Sequence, residues 1–228
     1  MKFGPVPLSE AEGAILAHSI ALAGCRLRKG QRLDAADIAA LAAAGHKDII
    51  AARLEPGDVH EDAAAWRLAA AVAGASSPLP EDAAVTALAR ARGLRLEPPF
   101  TGRVNLRAEA AGVLVVDAGA VDAVNAVDPL LTFATAAPWA RVRAGQMVAT
   151  VKVIAYAVAG ANLAEAERRA RGALRVAPFR PGTAALVQTA VPGQAPALHR
   201  KGRAVTEARL APLGWRLVAD EVVPHELG

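Results

Sequence analysis

Three consecutive runs decide how this chain is read: TAALVQTAV (183–191), PGQAPALHRKGRAVTEARLAPLGW (192–215) and RLVADEVVP (216–224). The outer two are short and apolar. Between them lie a Pro/Gly loop and a helix-forming stretch loaded with positive charge. Strand, loop, helix, strand at this spacing predicts a βαβ unit. Ligands of open α/β sheets sit beyond the carboxyl ends of the strands. Here that end is the loop from Thr189 to Ala197, followed by His199, Arg200, Lys201 and Arg203. Helix N-terminal amides together with cationic side chains form a seat for an anion such as phosphate. Two parallel strands do not make a stable sheet by themselves. The unit therefore reads as the opening of a larger sheet, or as an edge that pairs with another copy of the chain.

The charge distribution points to the same end. Residues 161–228 carry 10 Lys/Arg and 6 Asp/Glu, a net of +4, whereas residues 1–100 carry 11 and 12 and residues 101–160 carry 5 and 4. No aromatic stripe or nucleic-acid motif accompanies the excess, so a small anion ranks above nucleic acid as the partner. The charged fraction, 21%, is that of a folded globular protein and argues against disorder. Cys25 is the only cysteine, which rules out an intrachain disulfide and favours a reducing compartment. The longest apolar run, Met147 to Gly160, is interrupted by Lys152, so no membrane span is expected. Leu22-Ala23-Gly24-Cys25 has the order found before a lipoprotein cleavage site, but Pro5, Pro7, Glu10 and Glu12 stand where a basic start is needed. A cytoplasmic location is the expectation.

Working outward, the chain divides into an N-terminal α/β segment (1–95), a β-rich segment (96–160) and the partial α/β domain (161–228), an α/β chain that is α+β overall. Ser9-x-x-Glu12 and Asp58-x-x-Glu61 both have capping-box spacing and predict helix starts. Ala14 to Leu22 fits strand or helix. Asp34 caps a short helix that Gly45 stops, and Asp48 to Leu54 is a strand. Gly74 to Pro80 reads as a loop, and Glu81 to Arg92 as a helix with Val85 and Leu88 inward. RVNLRAEAAGVLVVDA (103–118) predicts a β-hairpin, Val121 to Val127 a helix, and MVATVKVIAYAV (147–158) the strongest strand. Arg103 and Asn105 read as solvent-facing strand positions, and Lys152 as an edge-strand lysine that discourages aggregation. Asn162 to Gly172 is an amphipathic helix capped by Asn162.

Chemistry motifs are sparse. There is no P-loop, no GxGxxG, no GxSxG, and no His or Cys spacing for a metal, so neither catalytic residues nor metal ligands are assigned.

Five stretches carry a further signal: PLSEAEGAILAHSI (7–20), KGQRLDAADIAALAAAGHKDIIAARLEPGDVHEDAAA (29–65), EPPFTGRVNLRAEAAGVLVVD (97–117), VDAVNAVDP (121–129) and GQMVATVKVIAYAV (145–158). Their order resembles the N-terminal part of bacterial molybdopterin-binding proteins, relatives of the molybdopterin molybdotransferases of molybdenum-cofactor biosynthesis. ARLEPGDVHED and PFTGRVNL are the most specific pieces. Residues 176–226 are similar to the opening of the molybdopterin-binding domain, a three-layer α/β fold whose later strands this sequence lacks. The resemblance implies binding of molybdopterin or its nucleotide derivative, admits Mg2+ beside it, and implies a molybdoenzyme or cytidylyltransferase as protein partner. It also implies site residues. Thr189 stands in the place of a Thr-Gly-Asp-Glu type motif, with the acidic residue absent from Gln188-Thr189-Ala190-Val191. Asp220 stands where an acidic pair follows the second strand, and Lys201 and Arg203 are the expected phosphate contacts. Without that acid, enzymatic activity stays open. An enzyme would be molybdotransferase-like, and the alternative is a non-catalytic scaffold for molybdoenzyme maturation.

Overall fold

The computed structural model describes residues 1–76 and 81–226. The predicted loop over Gly74 to Pro80 therefore lies partly outside the described residues. The chain is α+β, with helices and several small sheets.

The first unit comprises β1 (Lys2–Pro7), β2 (Ile15–Leu16), β3 (Ile20–Leu22), β4 (Cys25–Leu27), α1 (Ala35–Ala43) and β5 (Asp48–Arg53). Its antiparallel sheet has the order β1-β5-β2. Pro5 and Pro7 are tolerated because β1 is an edge. Val6, Leu16, Leu27, Leu33, Leu41 and Ile49 form its own core. Asp34 and Asp37 cap α1 reciprocally: the Asp34 carboxylate accepts from Asp37 N at 2.8 Å, and that of Asp37 from Asp34 N at 3.2 Å. The helix start predicted at Ser9 is overturned. Only a single 3-10 turn forms at Leu8–Glu10, without a side-chain cap, and the apolar stretch behind it becomes β2 and β3. The lipoprotein-like Ala23-Gly24 is the turn between β3 and β4.

The larger unit follows with β6 (Asp58–His60), α2 (Glu61–Val72), α3 (Asp82–Ala91), β7 (Leu94–Leu96), β8 (Arg103–Ala108), β9 (Gly112–Val116), α4 (Ala118–Asn125), β10 (Leu131–Thr135), β11 (Arg141–Val142), β12 (Met147–Val153), β13 (Ala157–Ala159), α5 (Gly160–Ala170) and β14 (Leu174–Pro178). Two sheets, ordered β10-β12-β8-β7 and β11-β9-β14, enclose one core with α2, α4 and α5, and β13 pairs with β6.

Several local expectations yield here to tertiary structure. The 103–118 hairpin does not form: β8 joins β12 and β7, while β9 joins β11 and β14. Gly112 lies so close to the Ala177 carbonyl that a Cβ has no room, which commits β9 to β14. Asp58 does not cap α2, because it belongs to the β6–β13 pair; its carboxylate accepts from Glu55 N at 2.8 Å, and His60 Nδ1 accepts from Asp62 N instead. Leu88 is 40% exposed, leaving Val85 and Ala89 to bury α3. Asn162 donates to Asp128 Oδ2 at 2.7 Å rather than capping α5, which begins earlier at Gly160. Lys152 is not on an edge, since β12 is flanked by β10 and β8.

The last unit is β15 (Gly182–Ala190), α6 (Pro196–Leu210) and β16 (Trp215–Pro224), with β15 and β16 parallel, as a βαβ unit requires. No residue from 177 to 226 is buried.

Arg67 ties α2 to α5 through a bidentate pair with the buried Glu167, Nε to Oε1 at 2.7 Å and Nη2 to Oε2 at 3.0 Å. Arg67→Met should lower stability by about 3 kcal/mol, because it leaves a buried carboxylate uncompensated. Arg67→Met/Glu167→Met should recover most of that loss. Urea unfolding of the two variants checks both.

Candidate functional site

The loop after β15 folds on itself before α6 begins. Gln194 N donates to Val191 O and Gln194 Oε1 accepts from Val191 N, both at 3.1 Å. Pro196 then takes the first helical position, where its missing N–H costs nothing. Ala195 precedes it and offers no side-chain cap; Leu198 N donates to Ala195 O at 2.9 Å, which leaves the Ala197 amide for solvent or a ligand.

Alternation along β15 sets the walls. Ala184, Leu186, Gln188 and Ala190 are half-buried toward α6, and Thr183, Ala185, Val187 and Thr189 are exposed. Two grooves flank the helix. A groove of about 760 Å³ lies toward β16 and gathers His199, Arg200, Arg203 and Glu207 with Asp220. A shallower one of about 450 Å³ lies on the other flank, with Lys201 and Arg209 beside Thr189.

The four predicted contacts are thus split. Arg203 and Asp220 share the larger groove, whereas Thr189 and Lys201 share the other. Helix geometry is the reason, since positions two apart point to opposite sides. Lys201 and Arg203 do not converge on one phosphate. Arg203 is also engaged already: Nε donates to Glu207 Oε1 at 3.1 Å, and Nη1 lies 3.7 Å from Asp220 Oδ2. Asp220 Oδ1 accepts from Gln188 Nε2 at 3.1 Å, and Thr189 Oγ1 lies 3.0 Å from His225 Nδ1.

The cation that joins Arg203 is Arg200, which makes no ion pair among the described residues. His199 lines the same groove. The i, i+3, i+4 rule applied to Arg203 would have selected Arg200 and His199 over Lys201, and would have exposed Glu207 as the residue that partly neutralises Arg203. Among the described residues no three His, Cys, Asp or Glu side chains group to hold a metal ion. His60, Glu61 and Asp62 likewise do not converge, because His60 caps α2.

A family model described as a domain of unknown function, DUF8806, matches residues 5–53, which coincide with the first unit and its separate core. No curated protein and no solved structure matches the chain. Among the described residues no helix is long and apolar enough to cross a membrane.

Because the Arg203 contacts are exposed, Arg203→Ala should change unfolding stability by less than about 1 kcal/mol. Thermal unfolding with Glu207→Ala alongside checks this. A small change in both lets any loss of ligand affinity be read as a lost contact.

Proposed function

We propose that this protein binds molybdopterin or a nucleotide derivative of it, in the cytoplasm, and acts in molybdenum-cofactor biosynthesis or transfer. The pterin's terminal phosphate is seated in the groove between α6 and β16. The observation that carries the reading is the parallel βαβ unit itself, whose strand ends and uncapped helix start face a groove holding Arg200, Arg203 and His199. A phosphate suits this donor set, since guanidinium groups and the positive end of a helix both favour a compact dianion. The sequence resemblance supplies the pterin, and the charge excess of residues 161–228 agrees with it. Asp220, held by Gln188 midway along β16, would accept from a ligand N–H. A molybdoenzyme or a cytidylyltransferase is the protein to which the cofactor would pass.

A second reading is favoured by one observation: the unit contains no buried residue, and Val187 and Val218 are 61% and 59% exposed. In that reading the chain is a non-catalytic scaffold in molybdoenzyme maturation, and a partner supplies the rest of the core.

Pterin fluorescence on titrating molybdopterin into the protein separates the two. Arg200→Ala/Arg203→Ala should bind at least tenfold more weakly, in line with about 1.5–3 kcal/mol for a hydrogen bond to a charged group. Lys201→Ala should stay within about threefold. Equal loss in both variants would remove the groove from the reading, and no binding by the unaltered protein would leave the scaffold.

A further inference from the structure

A second concavity of about 760 Å³ opens where the Lys29–Gly30 turn, the start of α2, the 98–103 turn and the end of β12 meet. Its size is that of a small-molecule site. None of its residues belongs to the βαβ unit.

The strand register places Lys152 of β12 directly opposite Arg103 of β8. Like charges facing each other across strands are destabilising. Protection of an edge does not explain the lysine, because β12 lies inside its sheet. Lys29 of the first unit adds a third cation to the same cleft. None of the three forms an ion pair among the described residues. Glu61 faces them without bonding to either lysine. Its burial and the neighbouring Asp62 hold its carboxyl above the usual range, against the pull of Lys29 and Lys152. Glu97, the other carboxylate lining the cleft, is taken up by Arg107 and Asn105, so the three cations face Glu61 alone.

The walls are rigid. Phe100 and Arg103 exchange two backbone hydrogen bonds, at 3.0 and 3.1 Å, around Thr101 and Gly102. Thr101 sits at φ 48° and Gly102 at 70°, the positive pair that a type I′ turn needs. A β-branched residue there is strained, which is common at ligand sites. Gly102 admits no Cβ: one would lie 2.6 Å from Val153 O and 2.7 Å from Glu61 Oε2. Its N–H donates to Asp62 Oδ1 at 2.7 Å, so the turn is pinned to α2 and presents Phe100 76% exposed. On the other side Tyr156 is fixed by donating to Ala17 O at 3.1 Å and by stacking on Phe3. Asn105 is already satisfied by Glu97 and Thr150 and shapes the floor.

We propose that this cleft binds a phosphomonoester of a flat ring system, with the phosphate between Lys29, Arg103 and Lys152 and the ring against Phe100 and Tyr156. The ligand bridges the first unit and the β10-β12-β8-β7 sheet.

The test uses the full chain carrying Arg200→Ala/Arg203→Ala, so that the α6 groove contributes nothing. Calorimetric titration at low ionic strength takes inorganic phosphate and AMP as probes. Both should bind, AMP at least tenfold tighter. Adding Arg103→Met/Lys152→Met should weaken both at least tenfold, whereas Arg143→Met, an exposed arginine outside the cleft, should not. Without ligand, Lys152→Met should raise the thermal midpoint, because it removes the cross-strand repulsion. No binding of either probe at millimolar concentration would overturn the site, as would an affinity indifferent to Arg103 and Lys152. AMP binding no tighter than phosphate would overturn the ring wall. A lowered midpoint would show Lys152 to be structural and would overturn its role as a ligand contact.

Discussion

Close packing of α2 is the constraint on which the larger unit depends. Seven of its twelve residues are buried, and five of those seven are alanines. Small side chains let a helix approach its neighbours closely, so α2 can touch α5 on one side and β8 and β12 on another. The same close approach makes the arrangement intolerant, since inserting even one methylene into such a core forces shifts costing roughly 1–3 kcal/mol. Arg67 and Glu167 fix the rotation of α2 against α5. At the other end its first turn fixes Gly102 and holds Glu61 over the cleft. One helix therefore sets both the core and the floor of a candidate site.

Alanine richness also decides what could be read from the sequence. Short helices were legible: α1 matches its expected start at Asp34, and α3 lies within its expected span of Glu81 to Arg92. Strand segments were legible too, because β12, β15 and β16 are apolar runs between turns. Partners were not. Alternation over 103–108 and 112–116 says that both are strands, but nothing local says that β8 must meet β12 some forty residues later. Asp58 shows the same limit. Its spacing to Glu61 satisfies the capping pattern, yet pairing with β13 takes it into a strand. Wherever a residue has a local and a long-range use, the sequence displays only the local one.

The candidate sites differ for the same reason. The α6 groove lies within one βαβ unit, so its location could be read from a contiguous stretch, and what the reading left out is the helical phase that sets Lys201 on the opposite flank from Arg203. The cleft over the β10-β12-β8-β7 sheet draws Lys29, Glu61, Arg103 and Lys152 from four distant places. Each taken alone has an ordinary explanation, as a turn lysine, a first-turn acid, a strand-face arginine or an edge lysine. Their juxtaposition removes those explanations, because the lysine is not on an edge and faces an arginine.

The two sites also differ in how they hold charge. Around α6 the cations are partly answered by Glu207 and Asp220 on an exposed surface, where pairs are screened and contribute little to stability. A ligand phosphate there competes with carboxylates already in place. In the cleft the three cations face the carboxylate of Glu61 without forming an ion pair among the described residues, Lys152 is half-buried, and a strained turn is fixed in position beside them. Repulsion between Arg103 and Lys152 is a standing cost that the rest of the sheet must support. An anion between them would convert that cost into attraction. A fold that keeps unpaired like charges in register, on an inner strand and under a rigid rim, is thereby preorganised for a ligand of opposite sign.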